Sequence, residues 1–474
     1  MKKPISCLVA FFICYVGQSQ DKWDLQRCVN YALANNISVK LQDVQARLAK
    51  LTYEQSKLSQ YPSLNLTANA YLNSGRNIDR ATNQYTSSPI FNNTFGLQSN
   101  VDIFSFFSKQ NIIAANKFET LAAGAYVDKI KNDIALNVAV SYLQVLLAKQ
   151  QVEIMRVKQQ QTSAQLVNTR KLVNAGAVPE LNSLQLEAQL AQDSSGVVTA
   201  KSNEIQAYYT LKALLALDAS APFEVDTPPI DKIPVEPLAD LQPESVYKLA
   251  MQNLPQQKVN SLRLLAAERN VAAAKATMYP SLSGFGSLQT TYSNYKLELA
   301  KISETPVGFQ AIGVVNGTTQ TVVTPVYNYK SFARSYGTQL QDNYGKSLGV
   351  SLSLPIFNGG TARTNWQRAK LNVKTYQLQQ QQDSLTLKQD IYKAYTDAIT
   401  ALEKFNASNK AVETSQKALD FATKRWNIGL LNTLDLITTQ SSLTSAQLSR
   451  SAAQFEYVFR MKLLEFYKGK GLKL

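Results

Sequence analysis

The hydrophobic period changes several times along the chain, and each change marks a new predicted element. From Trp23 to Gln60 apolar residues recur at helical spacing, and Tyr61-Pro62 ends the run. From Ser63 onward apolar and polar residues alternate, which is typical of a strand with two different faces. A second alternating segment follows the polar loop 73–93. The pattern therefore predicts strands at about 62–72 and 94–104.

Two very long helical hairpins are predicted after the alternating segments. Residues 109–174 contain no proline and a single glycine, and a helix of that size would be about 100 Å long. Each long helix turns at a glycine and returns, which predicts hairpins at 109–217 and 362–468. Apolar residues in both step by four and three, the spacing of a coiled-coil seam, at Val138, Tyr142, Val145 and Val152 and at Ile391, Tyr395, Ala398, Leu402 and Phe405.

The chain consists of two copies of one unit. Gly176 and Gly429 begin matching segments, which gives an offset of 253 positions (429 minus 176), and the same offset relates Phe104 to Phe357. Tyr61-Pro-Ser-Leu64 matches Tyr279-Pro-Ser-Leu282 at an offset of 218. The second copy therefore holds 35 extra residues, the difference between the two offsets.

The duplication sets the predicted domain boundaries. The first repeat covers residues 20–221 and the second covers 244–474, with a helix predicted at 242–278 and strands at about 281–295 and 346–357. Between the repeats, residues 222–243 hold six prolines and are interpreted as a linker. The extra residues fall in an excursion at 296–343, which is predicted to be an enlarged surface loop that can hold a hairpin near Gly313–Val323.

The N-terminus has the pattern of a secretory signal peptide. A basic start, an apolar run from Ile5 to Val16 and small residues before position 20 predict a leader at 1–19 that is cleaved. The alternative is a membrane anchor, but about 12 apolar residues are too few to span a bilayer.

Composition argues against several classes of function. The net charge is +15, but Lys and Arg are scattered without the dense basic block of a nucleic-acid-binding segment, so this charge is interpreted as solvated helix surface. There is no His, the usual general base and commonest metal ligand. Of the three Cys, Cys7 and Cys14 lie in the leader, which leaves only Cys28. We expect no enzyme activity, no metal site, no cofactor and no nucleic-acid partner.

The alternating segments have two possible interpretations. A strand of about 9–11 tilted residues crosses a bilayer, and alternation with aromatic residues at the strand ends is the pattern of a transmembrane barrel. A soluble sheet with one buried face alternates in the same way. No segment after the leader is apolar enough for a transmembrane helix, so a membrane-spanning form would use strands.

The motifs together resemble the TolC-like outer-membrane efflux protein family. The resemblance covers essentially the whole mature chain. It rests on the duplicated halves, on Tyr-Pro-Ser-Leu after the first helix of each half, on Leu354-Pro-Ile-Phe-Asn-Gly-Gly360 after the last strand, and on the segment from Gly429 to Leu443 at the final hairpin.

The resemblance implies an architecture and a set of partners. The fold would be mainly α with a transmembrane β-barrel portion, built from duplicated helix-strand-strand-helix-helix halves. Three chains would each give four strands to a twelve-stranded barrel in outer-membrane lipid, and the helices would form a coiled-coil α-barrel across the periplasm. The protein would be a passive exit duct of a tripartite efflux or type I secretion system, linked by a periplasmic adaptor to an inner-membrane transporter.

The resemblance also implies a gate at the periplasmic tip. Aligned on Gly429, the family's first ring-forming acid falls on Asp435, and the second falls on Thr438, which is not acidic. The alternative role for Asp435 is to cap or decorate an exposed helix end. The family's closing contacts fall on Asn182, Trp426 and Leu431, and two of these three have no charge where the family has one. Different closing contacts are therefore expected here.

The same alignment implies where an adaptor docks. The two tip turns span Val173–Leu181 and Ile428–Leu434, and the docking residues would be Gly176, Ala177, Val178, Pro179, Gly429, Leu430 and Asn432. A different class of function remains open from the helices alone, namely a periplasmic coiled-coil adaptor or structural protein without a pore. That alternative does not explain four alternating strands.

Overall fold

The computed structural model describes residues 22–78, 85–87, 89–228, 233–294 and 297–469. The predicted signal peptide lies outside the described residues, and so do Cys7, Cys14 and residues 229–232 of the predicted linker. The described chain is mainly helical with a smaller β portion, which confirms the predicted class.

The helices follow the same order in both repeats. A broken helix leads to the sheet, and a 67-residue helix then runs to a turn and returns. The helices are α1 (Leu25–Asn35), α2 (Ile37–Leu58), α3 (Ser108–Asn174), α4 (Glu180–Leu215), α5 (Pro243–Asn253), α6 (Pro255–Ala276), α7 (Tyr336–Asp342), α8 (Thr361–Asn427) and α9 (Thr433–Tyr467). Within the part of the chain that the structure describes, no helix combines the length and apolarity needed to cross a membrane.

The strands form one antiparallel sheet and three two-stranded ladders. The four-stranded sheet has the order β1-β4-β5-β10, so each repeat gives two strands and the repeats pair in the middle. Among the described residues, β1 and β10 have one unpaired edge each. The strands are β1 (Ser63–Asn73), β2 (Asn77–Ile78), β3 (Tyr85–Thr86), β4 (Ile90–Phe104), β5 (Ser281–Ser293), β6 (Leu297–Lys301), β7 (Gly308–Val314), β8 (Thr321–Val326), β9 (Tyr329–Ala333) and β10 (Gly345–Ser353).

The chain divides into two compact units that do not coincide with the repeats. The first contains the described residues up to Leu51, then Lys117–Ala266 and the chain from Lys374 onward. The second contains Thr52–Asn116 and Ala267–Val373, which include the sheet and the helix ends attached to it. Each unit takes residues from both repeats, so the duplicated halves are interlocked.

Two apolar clusters form the core of the helical unit. The larger joins α1, α3, α4 and α9 and contains the predicted seam residues Val138, Tyr142 and Val145. The smaller joins α5, α8 and α9 around Ile391 and Ala398. The coiled-coil spacing in the sequence therefore marks buried residues of both long helices.

The helix before each half of the sheet is broken, where the periodicity predicted one continuous helix at 23–60 and at 242–278. Asn36 interrupts the first, because its Oδ1 accepts a hydrogen bond from Ser38 N at 2.9 Å and its Nδ2 donates to Leu214 O at 2.8 Å. Leu254 interrupts the second at the equivalent position, since the residue before Pro255 is driven out of the helical conformation. Both predictions of continuity were wrong.

The strands differ from the predicted bounds at two ends. β4 begins at Ile90 instead of about residue 94, because β1 continues to Asn73, which pairs with Ile90. β10 ends at Ser353 instead of about residue 357, because Pro355 has no N–H to donate and the pairing with β5 stops at Ser281. Residues 354–357 were therefore wrongly predicted to be strand.

The excursion between β5 and β10 is an ordered structure and not a simple loop. β6 pairs with β9 and β7 pairs with β8, and we call these four strands the ribbon. Its turn contains Gly317 at φ +79°. After the ribbon, α7 folds back on β5, where Gln339 is fully buried and its Oε1 accepts from Ser293 N at 3.1 Å. The hairpin predicted near Gly313–Val323 is confirmed as β7 and β8.

The predicted linker is held against the helical unit at several points. Val225 is buried in the larger cluster and forms a bridge with Trp23. A 3-10 helix spans Leu238–Leu241. Lys468 Nζ lies 2.5 Å from Glu236 Oε2, so the proline-rich segment is tied to the end of α9.

The junction from strand to long helix requires left-handed backbone in both repeats. In the second repeat Gly359 and Gly360 have φ of +64° and +78°. At the equivalent positions of the first repeat, Phe106 and Phe107 have φ of +49° and +63°. Residues with a Cβ pay about 1–2 kcal/mol each for this conformation. The Phe106 ring stacks on Tyr279 at a centroid distance of 4.1 Å, which offsets part of that cost.

Candidate functional site at the helical tip

The first helical hairpin turns through a glycine in the left-handed conformation. Gly176 has φ +71°, and its N–H donates to Val173 O at 2.9 Å while Ala177 N donates to Leu172 O at 2.9 Å. These bonds satisfy carbonyls that the end of α3 leaves open. Pro179 then provides the extended residue that starts α4. The turn is exposed apart from the half-buried Val178.

The second hairpin turns in the same way and adds a side-chain cap. Gly429 has φ +76°, and Leu430 N donates to Arg425 O at 2.8 Å. Asn432 starts α9, where its Oδ1 accepts from Asp435 N at 2.7 Å. The glycine spacing in the sequence therefore locates both turns.

The structure brings together only some of the predicted closing residues. Trp426 and Leu431 pack against one buried cluster, in which Leu436 is fully buried. Trp426 Nε1 also donates to Thr433 Oγ1 at 3.4 Å. Asn182 lies in the other hairpin and is half-buried, and its backbone N–H donates to Pro179 O at 3.1 Å.

Asp435 and Thr438 lie exposed in the first turns of α9. Thr438 Oγ1 donates to Leu434 O at 2.9 Å, whereas the Asp435 carboxylate has no ion-pair partner among the described residues. A carboxylate in a first helical turn is stabilised by the helix dipole, so capping and exposure are compatible at this position. On α8, by contrast, Lys417 and Lys410 hold the pKa of Glu413 down at about 2.

Sequence reasoning missed a buried polar cluster between α3 and α4 in the first hairpin. Asp193 is 1% exposed and accepts from Lys158 Nζ at 3.0 Å, Thr162 Oγ1 at 2.7 Å and Gln189 Nε2 at 2.8 Å. Polar residues at Lys158, Thr162, Gln165 and Thr169 follow the four-and-three spacing of a seam. That spacing is the signal in the sequence, although a coiled-coil seam is normally recognised by its apolar residues.

The two hairpins meet through a mostly polar seam. Lys158 Nζ donates to Ser441 Oγ at 3.5 Å, and Gln440 Nε2 donates to Gln161 Oε1 at 3.3 Å. On α9, Gln440 is buried in this seam. One small apolar cluster, Leu166 and Leu186 with Ile437, also joins the hairpins. Within the second hairpin, by contrast, α8 and α9 meet through leucine.

The described residues include no group of three or more His, Cys, Asp or Glu side chains that could hold a metal ion. The tip therefore offers exposed backbone turns, an exposed carboxylate at Asp435 and a polar seam. Such a surface can line a passage or contact a partner.

Comparison with known proteins identifies the family. The sequence model described as "Outer membrane efflux protein" matches residues 28–217 and 246–458. The probable outer membrane lipoprotein SilC of Salmonella typhimurium is 21% identical over 84% of this chain and 73% of its own. The outer membrane protein TolC of Escherichia coli K12 is 22% identical over 79% of this chain and 70% of its own.

A solved structure shows the same fold. The outer membrane protein VceC of Vibrio cholerae superposes with a TM-score of 0.72 at 16% identity, over 95% of this chain and 97% of that one. The family match covers most of both repeats and confirms the resemblance found in the motifs. The chain therefore belongs to the outer membrane efflux protein family: it is an outer-membrane exit duct for efflux or secretion, and not an enzyme.

Proposed function

We propose that three copies of this chain form one duct, in which each gives four strands to a closed twelve-stranded barrel. One observation carries the proposal. Every residue of β1 is exposed in the single chain, although one face is aliphatic and the other polar. A strand exposed on both faces, with an unpaired outer edge, fits a barrel wall between lipid and an aqueous lumen. The aliphatic face, which includes Leu64 and Leu66, would contact outer-membrane lipid.

The helices support assembly with further copies. α2 exposes a row of aliphatic residues at four-and-three spacing, each at least half exposed: Ile37, Leu41, Val44, Leu48 and Leu51. We call this row the α2 seam. At two of the five equivalent positions of the second repeat, Val259 and Ala266 are fully buried. The second repeat thus buries part of the face that the first repeat exposes, and a neighbouring copy would cover the exposed row.

The internal contacts indicate which helix of the neighbour would do so. Between the repeats, α6 lies against α3, where Arg263 is 5.7 Å above the Tyr126 ring. The duplicated equivalent of that contact is α2 against α8. On α8, apolar side chains are exposed at a spacing of seven, at Leu378, Leu385 and Tyr392. The α2 seam of one copy would therefore pack on this row of the next copy.

We further propose that the tip is the gate of the duct. Three copies would bring three Asp435 carboxylates into one ring, with Thr438 a turn away, where like charges attract cations and repel one another. The polar seam between the hairpins supports movement of one hairpin against the other, because its hydrogen bonds can be exchanged for water, whereas the leucine contacts inside the second hairpin cannot. Asn182, Trp426 and Leu431 would be displaced in that movement.

The exposed turns at the tip would dock a periplasmic adaptor. Gly176, Ala177, Val178 and Pro179 in the first turn and Gly429, Leu430 and Asn432 in the second are the proposed contact residues. Leu181, Ile428 and Leu430 are each more than half exposed there, which suits an apolar contact. Because a duct supplies no energy, an inner-membrane transporter joined through the adaptor would drive export.

Planar-bilayer conductance tests the gate. Asp435→Asn should change the size or the cation preference of the single-channel steps by about twofold or more, because three charges leave one ring. Asp420→Asn is the matched control, since it removes another exposed carboxylate, on α8. Equal effects of the two substitutions would remove Asp435 from the constriction. A protein with the mass of one chain in detergent would contradict the trimer itself.

A further inference from the structure

The ribbon carries an apolar surface that the duct alone does not explain. The register of β7 and β8 places Phe309, Val314 and Val323 on one face and Gln310 with Thr324 on the other. Phe309 and Val314 are each 69% exposed. A two-stranded ladder is marginally stable in water by itself, and an exposed apolar face of this kind normally marks a contact.

The sequence of β7 and β8 excludes several kinds of partner. The charged residues of the ribbon, Glu298, Lys301 and Lys330, lie in β6 and β9, whereas residues 305–329, which contain β7 and β8, hold no Asp, Glu, Lys or Arg. A segment without cations has nothing to bind anionic lipid headgroups, and a segment without any charge offers nothing to a charged protein. The edges of β7 and β8 also lack the charged residues that normally protect an exposed edge from pairing. An uncharged apolar face is, however, complementary to another copy of itself.

The position of the ribbon brings copies of it within reach of one another. It joins β5 to β10, and β10 is the edge strand that would meet the next copy. It leaves the sheet at the end opposite the attached helices. α7 fixes its base, where Thr290 Oγ1 donates to Leu340 O at 2.6 Å and Tyr292 lies 4.7 Å from Tyr336.

Among the described residues, the ribbon occurs once in each chain. The corresponding segment of the first repeat, at 74–89, is shorter in sequence and contains Arg76, Asp79 and Arg80. A feature present once per chain occurs three times in a trimer, whereas a feature present in both repeats would occur six times. Three copies suit a contact among three identical ribbons around one threefold axis.

We propose that the ribbons of three copies pack together through the face of Phe309, Val314 and Val323 and narrow the outer end of the duct. This inference rests on the trimer proposed above. The occupant of the apolar face is the ribbon of a neighbouring copy. The duct would then have a second constriction, at the end of the sheet from which the ribbon leaves.

Cysteine cross-linking in the full-length protein tests this contact. Val314→Cys and Gln310→Cys lie on the same strand but on opposite faces, and the only Cys among the described residues, Cys28, is buried. With a short bismaleimide, Val314→Cys should form covalent dimers at least about tenfold faster than Gln310→Cys, since only the first would lie at the contact.

The outcomes separate the ribbon from the trimer. Faster cross-linking of Val314→Cys supports the proposal. Equal rates in a protein with the mass of three chains would overturn the ribbon contact and leave the duct intact. A mass of one chain would overturn both. As a second measurement, Phe309→Ser with Val323→Ser should speed labelling of Val314→Cys by an impermeant maleimide several-fold in whole cells, and no change would also contradict the contact.

Discussion

At the scale of single residues, the Asp193 carboxylate stands out in the helical unit because it is a buried acidic group. It is surrounded by Lys158, Thr162 and Gln189, and only 1% of it is exposed. Removal of one member of a buried ion pair leaves the other charge without compensation, which costs about 3–5 kcal/mol. Asp193→Ala should therefore lower the free energy of unfolding in urea by about that amount.

An exposed ion pair nearby provides the matched control. Arg170 and Glu187 are 3.1 Å apart, and the side chains are 53% and 56% exposed. A surface pair contributes about 0–1 kcal/mol, so Glu187→Ala should have little effect on unfolding. If both substitutions cost the same, the Asp193 cluster would be solvated and not structural.

Cys28 should react very slowly with thiol reagents in the folded protein. Burial, helped by the negative charge of Asp24, raises the pKa of its thiol to about 12. The thiolate is the reactive form, so a raised pKa lowers reactivity throughout the range from pH 7 to 10. Ellman's reagent should react with Cys28 at least about 10³-fold more slowly in native protein than in urea. Fast reaction of the native protein at pH 8 would show that α1 opens readily.

The residues of the tip were predictable to different degrees. Gly176 and Gly429 locate the turns because a left-handed helix end strongly favours glycine. Asp435 and Thr438 fall on an exposed surface, and their role in the gate stays a prediction. The Asp193 cluster was missed because residue type alone does not distinguish a polar residue buried in a seam from a polar residue exposed to solvent. Only its partners on other helices distinguish the two.

At the scale of elements, the α2 seam offers a direct test of assembly. Leu41→Gln with Leu48→Gln places two amides where a neighbouring helix would otherwise cover two leucines, and burial of each leucine contributes about 1.5–3 kcal/mol. The variant should dissociate into single chains in detergent at concentrations where wild type keeps the mass of three. Light scattering of the purified protein measures this.

Lys40→Gln with Lys50→Gln is the control on the same helix, because both lysines are exposed and lie off the seam. This variant should retain the wild-type mass. Dissociation of the control alone, or of neither variant, would mean that α2 does not face another copy.

Two element boundaries that were predicted wrongly nevertheless have a local cause in the sequence. Pro255 explains a helix break through its restriction on the preceding residue, and Pro355 explains a strand end through its missing N–H. The break at Asn36 depends on a hydrogen bond to Leu214, 178 positions away in the sequence. No local pattern contains that partner, so the first helix was predicted as continuous.

At the scale of the whole molecule, the duplication predicted the order of elements but not how they combine. Offsets of 253 and 218 residues reveal two copies. They do not indicate that β4 and β5 pair across the copies, which places both repeats in one sheet. That pairing depends on tertiary contacts between strands almost two hundred residues apart. The same interlocking explains why the compact units and the repeats do not coincide.

The strand-to-helix junction shows what the duplication has preserved. One copy makes the bend with Gly359 and Gly360, and the other makes it with Phe106 and Phe107 at nearly the same dihedral angles. The two copies share no side chain at these positions, and their common inheritance is the path of the main chain. For protein engineering, the first junction is therefore the easier one to change, because a Gly-Gly pair from the second repeat can replace Phe106 and Phe107. A Phe-Phe pair placed at Gly359 and Gly360 would need a new stacking partner, as Tyr279 is for Phe106.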